Sequence, residues 1–302
     1  MNNFLKKIKI NLCKYQIANK YITNRSIKVH IKKINKIEKY FENRLKFYSP
    51  KDFKDLFHNK YDSCHIWGSG GTAEITKKIL ESRKDYFNIG FGFSCLLNIN
   101  FDFYFIENAS HKNLDLLNAQ NKALEKFIYK KKTILVFKNI WQEKNNMDLA
   151  YKTYKKKALF IRDLIIPHYN LSDIALNNSV EKLLLSDPLY FRGCCSTVIN
   201  SILFAKFLGF KKIVLHGIDF SGGYFFDSEI YKKNYPELIP PNVNNIYDKK
   251  WRSDNQKHQS ANCLELFIPK IKDKLIEDHN IELLSSSKKS GSSKYLKVFD
   301  YQ

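Results

Sequence analysis

Residues 63–72 read Ser-Cys-His-Ile-Trp-Gly-Ser-Gly-Gly-Thr. Ser63–Trp67 is a short uncharged run stopped by a glycine turn, the pattern of a buried strand. Thr72 follows as an N-cap, and a helix is expected from there to about Ser82. A strand apolar throughout and handed directly to a helix belongs in a parallel sheet covered on both faces.

The alternation continues outward from this unit. Strands are expected at Tyr86–Phe93, Phe101–Ile106, Thr133–Phe137, Ala158–Ile161, Lys212–His216 and Ile281–Leu284. Helices are expected at Leu114–Tyr129, Ser179–Leu185, Ser196–Leu208 (ended by Gly209) and Ala261–Asp278. The fold class is therefore α/β: a Rossmann-like doubly wound, mainly parallel sheet with helices on both faces. In such folds ligands bind beyond the C-terminal ends of the strands. Residues 221–259 are polar and contain PELIPPNVNN; a loop this long in a compact domain reads as an active-site lid. Three regions are expected: a basic, mostly helical segment 1–60, the Rossmann-like domain 61–285, and a C-terminal tail 286–302, with the run SSSKKSGSS at 285–293 reading as flexible.

The 302 residues are 44% hydrophobic and 15% aromatic, enough for a large core and too much for disorder. No apolar run is long enough to span a membrane, and MNNFLKKIKI has no apolar region of the kind a secretory signal needs. The six cysteines (13, 64, 95, 194, 195 and 263) form no CxxC pair, so free thiols in a reducing cytoplasm are expected, with no metal site. The net charge is +21, but only six of the 51 basic residues are Arg. Nucleic-acid readers favour Arg for bidentate contacts, so no nucleic acid is expected as partner. Residues 1–60 carry 16 Lys or Arg against four Asp or Glu. Ile31, Ile34, Ile37, Phe41, Leu45 and Tyr48 recur there at helical spacing. The segment fits an interfacial helix on an anionic membrane surface, or equally a helix packed on the core with a solvated lysine face.

Four segments carry candidate chemistry. Gly68, Ser69, Gly70 and Gly71 let the backbone approach a phosphate, and the helix after them offers its N-terminus. The pattern is neither GxGxxG nor GxxxxGK[ST], which weighs against hydride transfer and P-loop chemistry. Arg192, Ser196 and Thr197 precede an apolar helix and form a second anion site. Gly217 and Asp219 end a buried strand, where site residues gather. His258 stands before a helix at the far end of the expected lid and is placed to act as a general base. Each has a plain structural alternative: a tight turn, an ordinary N-cap, a carboxylate satisfying loop N–H groups, and an idle surface histidine.

In this order the segments resemble the bacterial sialyltransferases of glycosyltransferase family 42. That family has a Gly-Asn-Gly-Pro-Ser-type turn after its first strand. An Arg and Ser lead an apolar helix ending in Leu-Gly-Tyr/Phe-Lys, followed by a strand ending Gly-Ile-Asp-Phe, a tyrosine-bearing lid and a His-Ser pair. The corresponding pieces here are Gly68–Thr72, Arg192–Gly209, LGFKKIVLHGIDF at 208–220, YFFD at 224–227 and His258–Ser260. The resemblance implies an inverting, metal-independent transfer of sialic acid or a related sugar from a CMP-activated donor to a cell-surface glycan such as lipooligosaccharide. It puts the base on His258 and a leaving-phosphate contact on Tyr224. Gly68, Ser69, Gly70, Gly71, Arg192, Ser196, Thr197, Gly217 and Asp219 fall in donor-binding segments, and Asn108 matches a donor- or acceptor-contacting Asn. No cofactor is implied beyond the CMP-sugar substrate. The sequence departs from the family at Ser69, Gly71 and Ser221, where Asn, Pro and a second lid tyrosine are expected. The partners implied are a nucleotide-sugar donor and a glycan or lipid-linked glycan acceptor, with work at the inner face of the cell membrane; a homo-oligomer is compatible. Two rivals stay open. A pterin- or nucleotide-pyrophosphokinase-like enzyme on a similar fold needs Mg²⁺ and clustered carboxylates, for which the sequence offers Glu107, Asp219 and Asp227. A non-catalytic basic module leaves the glycine turn and the Arg–Ser helix start without a role.

Overall fold

The structure, a computed structural model, describes residues 21, 25, 29, 47–48, 50–53, 57, 60–80, 86–106, 114–138, 158–165, 173–184, 190–193, 196–220, 223–239 and 259–301. The strands are β1 (Phe47–Tyr48), β2 (Cys64–Trp67), β3 (Phe87–Phe91), β4 (Phe103–Ile106), β5 (Ile134–Lys138), β6 (Ala158–Ile165), β7 (Tyr190–Gly193), β8 (Lys212–His216) and β9 (Glu282–Ser285). The helices are α1 (Thr72–Leu80), α2 (Leu114–Phe127), α3 (Asp173–Leu184), α4 (Thr197–Phe207), α5 (Glu229–Asn234) and α6 (Gln259–His279).

The strands form one sheet in the order β1-β6-β5-β4-β3-β2-β8-β9, with β7 paired to β6. Every pairing is parallel. The chain runs outward from β2 to β6, then returns to lay β8 on the other side of β2. The direction of winding therefore reverses between β2 and β8, the position where doubly wound sheets open a crevice at their C-terminal edge.

Alternation along the strands builds two cores. Cys64, Ile66, Phe87, Ile89, Phe103 and Phe105 face one side and pack with residues of α3, α4 and α6. Trp67, Tyr104, Leu135 and Phe137 face the other side and pack with α1 and α2. Ring contacts tie the first layer together, as where Phe204 of α4 meets Phe103 edge-on at 5.0 Å. The sheet explains why α4 is apolar nearly all round: Thr197 through Ala205 are all buried.

The structure redraws three expectations. Tyr48 is not on a surface helix: it lies in β1, opposite Leu159, and its ring meets buried Phe53 at 5.0 Å. The sheet therefore begins before residue 60. Elsewhere in the basic segment, Tyr21, Arg25 and Val29 are helical and exposed. Arg192 lies within β7, a strand not expected from the sequence. The tail is not flexible. Ser286 N–H donates to Leu215 O, Phe299 N–H donates to Ser285 O, and the Tyr301 hydroxyl donates to Ser286 O. The apolar residues beyond the Ser-rich stretch return it to the core, with Leu296 buried and Phe299 edge-on to His65 at 5.5 Å.

A buried polar row crosses the α1 face. Ser63 Oγ lies 2.9 Å from His65 Nε2, His65 Nδ1 lies 2.8 Å from His216 Nε2, and His216 Nδ1 lies 2.9 Å from Thr76 Oγ1. The Thr76 hydroxyl also reaches the Ala73 carbonyl at 3.2 Å, where it donates. It therefore accepts from His216 Nδ1–H, which leaves His216 Nε2 to accept from His65 Nδ1–H and His65 Nε2 to accept from Ser63. Both rings are neutral in this arrangement. Burial lowers His65 to about 3; burial, followed by the neighbouring His65, holds His216 well below the ordinary imidazole range.

Both histidines resist protons that the unfolded chain accepts below pH 6.5, so their contribution to stability falls as pH falls from there toward 3. Asp102 acts in the opposite sense, because burial raises it to about 6 and protonation favours the fold below that pH. With two histidines against one carboxylate, the unfolding free energy read from denaturant titration is expected to fall on acidification, by about 1.4 kcal/mol per pH unit for each net proton taken up on unfolding. His65→Asn should flatten that dependence. A wild-type stability that holds or rises between pH 6.5 and 4 would show that the pair does not control it.

Candidate functional site

β2 and β8 pair in register, Trp67 opposite His216, so their following turns leave the sheet side by side. Gly68 N–H donates to His216 O at 2.8 Å, and Gly70 N–H donates to Gly217 O at 2.9 Å. Gly217 has φ +62°, a conformation that disfavours any side chain, and a Cβ there would strike the Ala73 methyl. The two turns are thus laced together before any ligand is considered.

Asp219 completes the junction. Its Oδ2 accepts Thr72 N–H at 3.0 Å, and its Oδ1 accepts the Thr72 hydroxyl at 2.6 Å. Ser290 Oγ lies 2.9 Å from the same Oδ1 and donates to it. Thr72 is therefore the first residue of α1, not its cap; the cap comes from Asp219, 147 residues away. The carboxylate also stands where the helix macrodipole favours negative charge.

This arrangement already occupies much of the backbone of the glycine turn. Gly71 N–H donates to Gly223 O and Ala73 N–H to Gly70 O. With Gly68, Gly70 and Thr72 bonded as above, those N–H groups are already engaged and do not form an open phosphate cradle. Ser69 is likewise engaged: its Oγ accepts Phe93 N–H at 3.1 Å, and its carbonyl accepts Phe225 N–H at 3.2 Å.

Tyr224 is drawn to the same place. It forms an antiparallel bridge with Gly70, its N–H donates to Asp227 Oδ2 at 2.9 Å, and its ring stacks on buried Phe226 at 4.9 Å. A cleft of about 410 Å³ opens beside this junction. Gly71, Thr72, Asp219 and Gly223 line one side; the other is lined by the C-terminal segment, including Lys288, Lys289 and Lys294. Sequence reasoning missed this second wall because SSSKKSGSS resembles a linker. The readable signal lay just after it, in Tyr295, Leu296, Phe299 and Tyr301.

Of the remaining predicted residues, those that are described lie elsewhere in the fold. Arg192 pairs with Leu164 of β6, and three strands separate β6 from β2 in the sheet. Ser196 and Thr197 are buried at the start of α4, with the Ser196 carbonyl accepting Asn200 N–H and the Thr197 carbonyl accepting the Ser201 hydroxyl. Asn108 and His258 lie outside the described residues. A second cavity, of about 460 Å³, is lined by Tyr61, Tyr86, Asn88 and Asp102, among others, toward the N-terminal ends of β3 and β4. Among the described residues no group of three His, Cys, Asp or Glu side chains is placed to hold a metal.

No protein-family model and no curated protein matches the sequence. Solved structures similar to the chain include two sialyltransferase structures. The sialyltransferase CST-II in complex with a trisaccharide acceptor and CMP aligns at a TM-score of 0.45 and 14% identity, over 79% of this chain and 86% of its own. The sialyltransferase CstII from Campylobacter jejuni in complex with the substrate analogue CMP-3FNeuAc aligns at 0.45 and 15%, over 80% and 87%. The chain is similar to these in the course of its backbone.

Thr72 and Ser290 serve the same oxygen of Asp219, so their energies should be coupled. Thr72→Val and Ser290→Ala are each expected to cost about 1–3 kcal/mol, typical of a hydrogen bond to a charged group. The double variant should cost less than the two singles combined, as read from urea unfolding in a double-mutant cycle. Strict additivity would mean that Asp219 does not join the two segments.

Proposed function

We propose that the chain is a sialyltransferase-like glycosyltransferase. It takes a CMP-activated donor of sialic acid or a related sugar and inverts the anomeric centre, with a glycan such as lipooligosaccharide as acceptor. The observation that carries this reading is the junction of Gly68–Thr72, Gly217–Asp219 and Tyr224 at the switch point of the sheet. These are the segments whose order in the sequence resembles family 42, and they meet where doubly wound folds hold their ligands.

Departure of CMP builds negative charge on a phosphate, which needs donors in a site shielded from water. Tyr224 is proposed to donate one such hydrogen bond. His258 is proposed to take the proton from the acceptor hydroxyl, a role that supplies about 10²–10⁴-fold in rate. No metal is assigned to the reaction, so activity is proposed to persist in EDTA.

The test uses full-length protein and nucleotide ligands. CMP should raise the melting temperature while AMP and UMP do not; a ligand present at 100 times its Kd stabilises by about 2.7 kcal/mol. His258→Ala should retain that stabilisation while losing about 10²–10⁴-fold in sialyl transfer. Unselective stabilisation by any nucleotide, or stabilisation that requires Mg²⁺, would favour the pyrophosphokinase-like reading. A fully active His258→Ala variant would remove the base from the mechanism.

Residues 1–60 are proposed to hold the protein at an anionic membrane surface, each lysine near it contributing roughly 1 kcal/mol. Exposure of Tyr21, Arg25 and Val29 at intervals of four on helical backbone supports this. Full-length protein should sediment with phosphatidylserine vesicles at low salt and be released at high salt. Failure to bind at low salt would overturn the proposal.

A further inference from the structure

The cleft at the switch point poses an electrostatic problem. Any phosphate entering it meets the Asp219 carboxylate, and the N–H groups of Gly68, Gly70, Gly71 and Thr72 are already bonded within the protein. The N-terminus of α1, the usual source of positive potential in such folds, is capped by that same carboxylate. An anion needs its countercharge from elsewhere.

The structure assigns that countercharge to the C-terminal segment: we infer that Lys288, Lys289 and Lys294 form the phosphate-binding wall of the cleft. All three line it. None is ion-paired with another described residue. Three lysines against one carboxylate leave the cleft net positive, which suits a phosphate group carrying one to two negative charges.

The segment is fixed at this place by more than its charge requires. Ser290 and Ser292 are buried. Ser292 N–H donates to Ile218 O at 3.1 Å, and the Ser290 hydroxyl reaches Asp219. Gly291 packs so closely on the Asp219 backbone that a Cβ would overlap it. A stretch of small residues thus presses its backbone onto the strand-end loop and presents lysines on either side of the contact. A solvent-exposed linker has no need of such a seat. The roles are divided: the turns after β2 and β8 shape the cleft, and the segment after β9 charges it. Lysine suits this, because a flexible point charge can follow a phosphate as it leaves.

The inference rests on the cleft being the nucleotide site only for the identity of the ligand, so the test separates the two. Binding of CMP, cytidine and inorganic pyrophosphate is measured by calorimetry with full-length wild type and with K288Q/K289Q/K294Q. A control variant neutralises three exposed lysines elsewhere, K78Q/K130Q/K233Q. The expected result is that the cleft variant loses at least tenfold in CMP affinity, keeps its cytidine affinity, and shows a weaker salt dependence. The control should match wild type. Equal CMP binding by wild type and cleft variant would overturn the lysine wall and leave the nucleotide reading intact. Pyrophosphate binding that depends on these lysines, without CMP binding, would uphold the wall and refute the cytidine nucleotide. Loss in the control equal to that in the cleft variant would reduce the effect to the general charge of the protein and overturn the assignment.

Discussion

The Asp219 carboxylate at the N-terminus of α1 is the interaction on which the C-terminal face of the molecule depends. It ties the turn after β2 to the loop after β8 through Thr72, and the segment after β9 to both through Ser290. Without it, α1 would start with an unsatisfied N–H, and buried Ser290 would keep only its contacts with the Ile218 carbonyl and Ser292. A helix N-terminus that takes a side-chain carboxylate cannot also serve a phosphate at the same N–H. In this fold that choice leaves those N–H groups of the glycine turn engaged within the protein.

The carboxylate rests on a row of buried groups. Thr76, one turn into α1, meets His216 at the end of β8, and His216 meets His65 in β2. Trp67 stacks on His216 at 3.8 Å, while its Nε1–H donates to Asn88 of β3. The strands that meet at the switch point are therefore joined by side chains as well as by the backbone ladder. A polar row of this kind fixes register, because sliding β8 by one residue would leave two imidazoles without partners.

Much of the fold was legible in the sequence because it follows from local pattern. The apolar strands, the helix after Gly71 and the apolar α4 all read directly from periodicity and punctuation. What sequence hid was long-range pairing. Asp219 and Thr72 lie 147 positions apart. Thr72 looked like a cap because its residue type suits one, and only the fold shows the cap arriving from another loop. Tyr48 looked helical because its spacing from Leu45 and Phe41 matched a helix; pairing with β6 overrode that spacing. The C-terminal segment was misread because a run of Ser, Lys and Gly has linker composition. Its order comes from the aromatic residues after it and from serine hydroxyls buried against Asp219. The glycine turn, Gly217, Asp219 and Tyr224, each singled out by its own segment of sequence, lie together in the fold, while the lysines beside them carried no such local signal.

The most direct measurement of this account is amide hydrogen exchange on Asp219→Ala compared with wild type. If the carboxylate is the common tie, protection should fall together in residues 70–73, 217–224 and 286–294, with the interiors of β2, β3 and β8 unchanged. Loosening confined to the loop around residue 219, with 70–73 and 286–294 protected as in wild type, would contradict the claim that Asp219 holds the three segments in one site.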